Sequence, residues 1–330
     1  MKDRINFCTL FDSNYLSRGV TMYHSLEAVT EDFHLYVFAF DDTCLDVLHQ
    51  LNFKYCTIIS LQEFEDEDLL RVKAGRTTAE YCWTCSSSTI LYCIEKYQLT
   101  NCTYIDADMY FYQDPSTLIA EMKEDSVMIT AHRYTPKYDK TKLSGKYCVQ
   151  FVYFKNDEYG MRVLRWWRNA CIEWCFNRYE DGKFGDQKYL DDWTTRFPHV
   201  HELQHLGGGL ALWNIQQYAL FPFNNLFRCR EIISGKIFGP VFYHFHYLKY
   251  FKDHTVELGR WEINDDVLNM IYKPYLVKMN EAYLEIKRVK PGFESHGSVP
   301  APHGVKAILL KYWRKMNHVY HIYKLEELLK

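Results

Sequence analysis

Apolar runs alternate with helical stretches through the first half of the chain, and this order most limits what the chain can fold into. Ile5 to Leu10 has the character of a buried strand, and Arg18 to Ala28 that of a helix. Leu35 to Phe40 reads as a second strand, ended by Asp41-Asp42, and Asp46 to Leu51 as a helix. Tyr55 to Ser60 gives a third strand, Thr78 to Tyr97 a long helix, and Cys102 to Ile105 a fourth strand that ends on Asp106. Strands separated by helices imply βαβ units and a parallel sheet. Ligands of such sheets bind beyond the carboxyl ends of the strands. Asp12, Asp41 and Asp106 all sit at such ends, so the pattern aims three carboxylates at one crevice.

The second half is less regular. Ser126 to Ala131 and Val149 to Phe154 read as strands, and Glu158 to Phe176 as a helix carrying Trp166, Trp167 and Trp174. Val241 to Tyr247 reads as another strand. A stretch with Pro291, Pro300 and Pro302 has the composition of a linker or a loop. Val305 to Lys330 has helical spacing. The division expected is a domain over residues 1–254 and a mainly helical C-terminal extension over 255–330.

Composition narrows the function. A formal net charge of −3 argues against a nucleic-acid binder, which needs clustered positive charge on phosphate backbones. No apolar core of a signal peptide follows Met1, and no run of 18 apolar residues would span a bilayer. The 11 cysteines are scattered, which points to reduced thiols and a cytoplasmic location. Cys82 and Cys85 form a CxxC with no second pair, so no zinc site is expected there.

The chemistry concentrates in Tyr104-Ile105-Asp106-Ala107-Asp108-Met109-Tyr110-Phe111. Two carboxylates one residue apart, just past a buried strand, can both turn into the crevice where the chain bends. Such hard oxygen ligands suit Mg²⁺ or Mn²⁺, which then bridge to phosphate oxygens.

This segment resembles the Asp-x-Asp motif of GT-A glycosyltransferases, in particular the retaining branch of bacterial galactosyltransferases and glycogenin. Three further stretches agree in order across residues 5–252. Asp12-Ser13-Asn14-Tyr15 resembles the base-binding loop, with the aspartate on the base and the tyrosine stacked on it. Phe184-Gly185-Asp186-Gln187 is similar to the Asp-Gln segment near the anomeric carbon. Tyr243-His244-Phe245-His246 resembles the late motif whose histidine completes the metal shell. His244 and His246 share a strand face, and His244 is favoured because Phe245 follows it.

The resemblance implies an α/β fold of the GT-A type, Rossmann-like, with a mostly parallel central sheet and the C-terminal helical extension. It implies Asp186 and Gln187 as catalytic, Asp106, Asp108 and His244 as ligands of Mn²⁺ or Mg²⁺, and Asp12, Asn14, Tyr15, Asp106 and Ala107 on the nucleotide-sugar. The donor would be a nucleotide-diphospho-sugar, a UDP-sugar by this resemblance, and the acceptor a glycan, a lipid-linked glycan or a protein. A metal ion would neutralise the leaving diphosphate, and Asp186 or Gln187 would stabilise an oxocarbenium-like centre, with retention.

The sequence also departs from that family. Where it has Asn-x-Gly against the donor sugar, this chain has Cys148-Val149-Gln150, so Cys148 and Gln150 replace its sugar-facing groups. The basic residue of the long helix is missing, and Thr84 to Thr89 supplies small hydroxyl residues instead. The late motif continues as Tyr247-Leu248-Lys249, which leaves Lys249 and Lys252 as candidates for the diphosphate. Gly207-Gly208-Gly209 permits close backbone approach to a ligand or is a plain loop, and Trp213 is an acceptor platform or core.

Residues 305–330 also suggest a basic amphipathic helix, in which Ile308, Leu309, Tyr312, Trp313 and Met316 share a face flanked by Lys311, Arg314 and Lys315. Such helices dock on anionic membranes, and the alternative is a helix that closes the fold. Rival enzymes fit worse. Phosphatases with Asp-x-Asp need Thr or Val where Tyr110 stands, and nucleotidyltransferases need a Gly-rich, Arg-containing loop that Phe11 to Gly19 does not supply. The remaining alternative is a non-catalytic nucleotide-sugar or glycan-binding protein of the same fold.

Overall fold

The computed structural model describes residues 4–224 and 226–330. Its centre is a seven-stranded sheet in the order β3-β2-β1-β4-β7-β6-β8. The strands are β1 (Ile5–Phe11), β2 (Phe33–Ala39), β3 (Cys56–Ser60), β4 (Asn101–Ile105), β6 (Val127–Ala131), β7 (Tyr147–Lys155) and β8 (Val200–Glu202). β5 (Met109–Phe111) lies outside this sheet. β7 alone runs antiparallel to its neighbours, so the sheet is mostly parallel, as expected. Every residue of β1 is buried. A strand covered on both faces reads as a continuous apolar run, which is why Ile5 to Phe11 shows no alternation.

The helices cover both faces. α1 (Leu16–Val29), α2 (Asp42–Leu51) and, much later in the chain, α5 (Lys273–Val289) close one side, where Phe7, Leu26, Val47, Ala282 and Ile286 share a core. α3 (Thr78–Tyr97) and α4 (Glu158–Glu173) close the other with Tyr81, Ile90, Leu164 and Trp167. Local chemistry sets the helix starts. Asp41 caps α2 through Cys44 N, Thr77 and Glu80 form a capping box on α3, and Asp157 caps α4.

Three small sheets surround the main one. β9 (Leu210–Ala211), β13 (Phe242–His244) and β5 form one, and β10 (Tyr218–Phe223), β11 (Leu226–Glu231) and β12 (Ile237–Phe238) form an antiparallel meander. β14 (Lys249–Tyr250), β15 (Thr255–Glu257) and β16 (Ile322–Lys324) form the third.

Four local expectations need correction. The strand expected over Val241 to Tyr247 covers only Phe242–His244, because the chain turns at Tyr247, whose φ is +72°. The α4 helix stops at Glu173, where Trp174 is extended. The helix expected through Lys330 ends at Met316, and Ile322–Lys324 becomes a strand by pairing with β15. The proline-bearing stretch is no free linker. Ser17 N donates to Ser295 O, and Lys252 N donates to Val299 O, which fastens residues 295–299 across the start of α1.

Candidate functional site

The pairing of β5 with β13 builds the centre of the site. His244 lies opposite Met109, and Phe245 N donates to Asp108 O at 2.9 Å. This puts His244 Nε2 3.0 Å from Asp108 Oδ1 and 3.6 Å from Asp106 Oδ2. His246 also converges there: Asp108, His244 and His246 offer ligand atoms within 4.8 Å of one another. Both histidines sit edge-on to the ring of Trp213, at 5.3 Å for His244 and 5.8 Å for His246.

The orientation of His244 is set from behind. Its Nδ1 lies 2.9 Å from Gln150 Oε1. An amide oxygen can only accept, so Nδ1 carries a proton in the neutral and the charged ring alike, and Nε2 faces the carboxylates. A lone pair facing two carboxylates is repulsive unless a cation or a proton lies between them. The titration behaviour agrees. Burial alone would lower the His244 pKa, but Asp108 and then Asp106 raise it. Asp106 is pushed up to about 7, mainly by burial, while His244 pulls Asp108 down to about 2 despite its burial. Hard oxygens, imidazole nitrogen and a hydrogen-bonded outer partner fit a divalent cation such as Mn²⁺ or Mg²⁺. Asp106, Asp108 and His244 would hold it, with His246 within reach.

Asp186, in the loop that follows α4, is held against α3. Its Oδ2 accepts from Ser86 Oγ at 2.7 Å, and its backbone oxygen accepts from Trp167 Nε1 at 3.0 Å. Gly185 takes φ +54° against the Trp83 ring, a turn that a side chain would strain. Burial lifts Asp186 to about 7 against the hydrogen bond from Ser86. Gln187 donates Nε2 to Ser144 O at 2.6 Å, so its amide nitrogen is engaged. Cys148 is buried, and burial together with the carboxylates of Asp106, Asp186 and Asp108 raises its thiol well above the usual range.

At the other end, Asp12 accepts from Asn14 N at 3.0 Å and from Asn14 Nδ2 at 3.1 Å. Tyr15 is 42% exposed, with the Arg18 guanidinium 4.4 Å from its ring centre. Asp108, Asp106 and Asp12 are all near enough to act on the Tyr15 hydroxyl. Ala107 is buried between the two aspartates of its motif. Lys249 is exposed on β14.

Several expectations change here. Gly207-Gly208-Gly209 is structural: a Cβ on Gly209, at φ +104°, would lie 2.9 Å from Thr130 and 3.2 Å from Gln150 Nε2. The run thus lets β9 close over Gln150. Trp213 is 4% exposed and backs the histidines instead of offering a platform. Gln150 is fully buried behind His244, so it faces that imidazole, not open space.

Sequence reasoning passed over Arg18 and Ser86. Arg18 is 4% exposed and donates to the backbone oxygens of Asn14, His296 and Leu248. Among the described residues no carboxylate lies within ion-pair distance of it. A charge amid the apolar residues of α1, three positions after Tyr15, was the signal available. Ser86 lay in the hydroxyl-rich stretch that had been read as a missing cation.

No protein-family model matches the chain. The chain is 29% identical to YfnD of Bacillus subtilis (strain 168) over 308 residues, covering 89% of this chain and 94% of that protein. It is 32% identical over 220 residues to YfnF of the same organism, covering 64% of this chain and 73% of YfnF. Both are described as uncharacterized proteins. Among solved structures, the galactosyltransferase LgtC in complex with donor and acceptor sugar analogues superposes with a TM-score of 0.51 at 9% identity, covering 84% of this chain and 96% of LgtC. That likeness shows the GT-A fold.

Proposed function

The chain belongs to the family of the Bacillus subtilis protein YfnF and has the GT-A fold, and on that premise we propose that it is a metal-dependent glycosyltransferase using a nucleotide-diphospho-sugar. The observation that carries this reading is the convergence of Asp106, Asp108 and His244, with Gln150 fixing which nitrogen of His244 faces the acids. A bound divalent cation would supply Lewis-acid neutralisation of the leaving diphosphate.

The chain's own groups fall into roles around it. Asn14 orients Asp12 to accept from a nucleobase N–H, and Arg18 covers one face of Tyr15 while enough of the ring stays exposed for stacking. The buried Arg18 would add positive charge beside a diphosphate, and the exposed Lys249 follows Leu248, whose backbone oxygen accepts from Arg18. In transfer, the bond from the anomeric carbon to the diphosphate breaks and its electron pair leaves with the phosphate. The acceptor oxygen takes that place, and its proton passes to the departing phosphate. Asp186, with Gln187 beside it, supports the positive charge that develops on the sugar. Retention and a UDP-sugar donor follow from the resemblance, and LgtC, with this fold, was captured with donor and acceptor sugar analogues.

The acceptor side follows from aromatic packing. Trp261 is half-buried and stacks with Tyr138 at 5.4 Å, with Tyr247 edge-on to it at 5.5 Å. It packs against the apolar cluster of Cys148 and Trp213, whose ring meets His244 and His246. Such rings suit the apolar faces of a glycan. Trp261→Ala is expected to raise the acceptor KM about tenfold with little change in the donor KM, corresponding to about 1.4 kcal/mol. A loss of donor affinity alone would remove Trp261 from the acceptor side.

A panel of nucleotide-sugars assayed for hydrolysis and transfer with Mn²⁺ tests the whole reading. Turnover of one donor, abolished by EDTA and restored by Mn²⁺, is expected. UDP and Mn²⁺ raising the melting temperature with no donor ever turned over would instead make the chain a binding protein.

A further inference from the structure

We propose that α6 (Gly304–Met316) is a docking element for an anionic membrane surface, a property separate from the sugar-transfer reading. α6 buries none of its residues. Val305, Ile308, Leu309, Tyr312, Trp313 and Met316 fall at the spacing of one helix face, an arc of roughly 140° at about 100° per residue. In an ordinary surface helix such a stripe faces the core. Here these six side chains are between 55% and 74% exposed.

The reason lies on the opposite face. Arg314 points the other way round the helix and donates from Nη1 to Glu257 Oε1 at 2.7 Å, a carboxylate buried on β15. Ala307, also on that face, is half-buried. Val319 N then donates to Arg314 O, and the chain enters β16, which pairs with β15. The helix is therefore fastened to the protein by its polar side, with its apolar stripe turned outward.

Charge indicates what covers the stripe. Lys306 borders it on one side and Lys311 and Lys315 on the other, and no aspartate or glutamate occurs from Ser295 to Lys324. An apolar stripe carrying Trp and Tyr with lysines along both edges suits the interface of an anionic bilayer. A second copy of the chain seated on the same stripe would bring these lysines against their equivalents, which disfavours self-association. No helix among the described residues is long and apolar enough to cross a membrane, so contact through α6 would be peripheral.

Flotation of the full chain with phosphatidylcholine vesicles, with and without phosphatidylglycerol, tests this without donor or metal. Recovery with the phosphatidylglycerol vesicles alone is expected, lost at high salt. Lys306→Gln, Lys311→Gln and Lys315→Gln together should weaken it on the order of a hundredfold, at about fivefold per cation. Leu309→Glu with Trp313→Glu should abolish it and leave the melting temperature unchanged, because neither side chain is buried. The proposal is overturned if the chain stays in the soluble fraction with both vesicles or binds neutral vesicles equally. It is also overturned if Trp313→Glu only disperses a dimer that binds no lipid.

Discussion

Asp108→Asn is expected to reduce metal-dependent turnover about a thousandfold while the chain remains folded. Asp108 is the more enclosed aspartate of its motif and the one in direct contact with His244, at 3.0 Å. An amide keeps the shape and removes the charge that a cation requires. The variant should also show how the centre is balanced in the absence of metal. His244 holds Asp108 at about 2, below its ordinary 3.8. A carboxylate with a depressed folded pKa contributes stability that is present above the unfolded value and lost as pH falls toward about 2. Asp108→Asn should therefore lower stability at neutral pH, and that difference should shrink below pH 4. The wild-type protein should gain stability from Mn²⁺, and the variant should not. Unaltered turnover, or equal Mn²⁺ stabilisation of both proteins, would sink the metal assignment.

Much of this centre could be read before the fold was known. The alternation of apolar runs and helices placed Asp12, Asp41 and Asp106 at strand ends, and the sheet order and the long helix Thr78–Tyr97 match that reading. Such elements are legible because hydrophobic periodicity and capping act over a few residues. The groups that were missed depend on long-range pairing, which no short window reveals. Gln150, on β7, meets His244 across 94 positions because β7 pairs with β4 and β13 pairs with β5, which follows from no single segment. Arg18 looks like an anomaly within α1 until residues 295–299 come back to receive it. The same limit explains α6. Its periodicity is plain in the sequence, yet whether the stripe faced inward or outward rested on the bond from Arg314 to Glu257.

At Asp186, proposed above to support the charge on the sugar, stability and activity should move in opposite directions. Asp186 is 6% exposed, and burial raises it from 3.8 to about 7. Between about pH 4 and 7 the folded chain therefore keeps a proton that the unfolded chain has lost, so stability falls as pH rises through that window. Above it the folded protein holds an ionised carboxylate that burial disfavours by at most about 4 kcal/mol, from roughly three units at about 1.4 kcal/mol each. Asp186→Asn removes that charge and keeps an oxygen to accept from Ser86. It must bury an amide N–H₂ in exchange, so a net gain of about 2 kcal/mol at pH 8 is the expected result, passing through zero between about pH 5 and 6 and becoming a loss near pH 4. Turnover should drop on the order of a hundred- to a thousandfold, because a neutral amide cannot balance the charge of an oxocarbenium-like sugar. Chemical unfolding at several pH values, set beside donor turnover, reads both. A carboxylate kept only for the fold would give the reverse pattern, with a less stable Asn variant and intact turnover, and that outcome would remove Asp186 from the reaction.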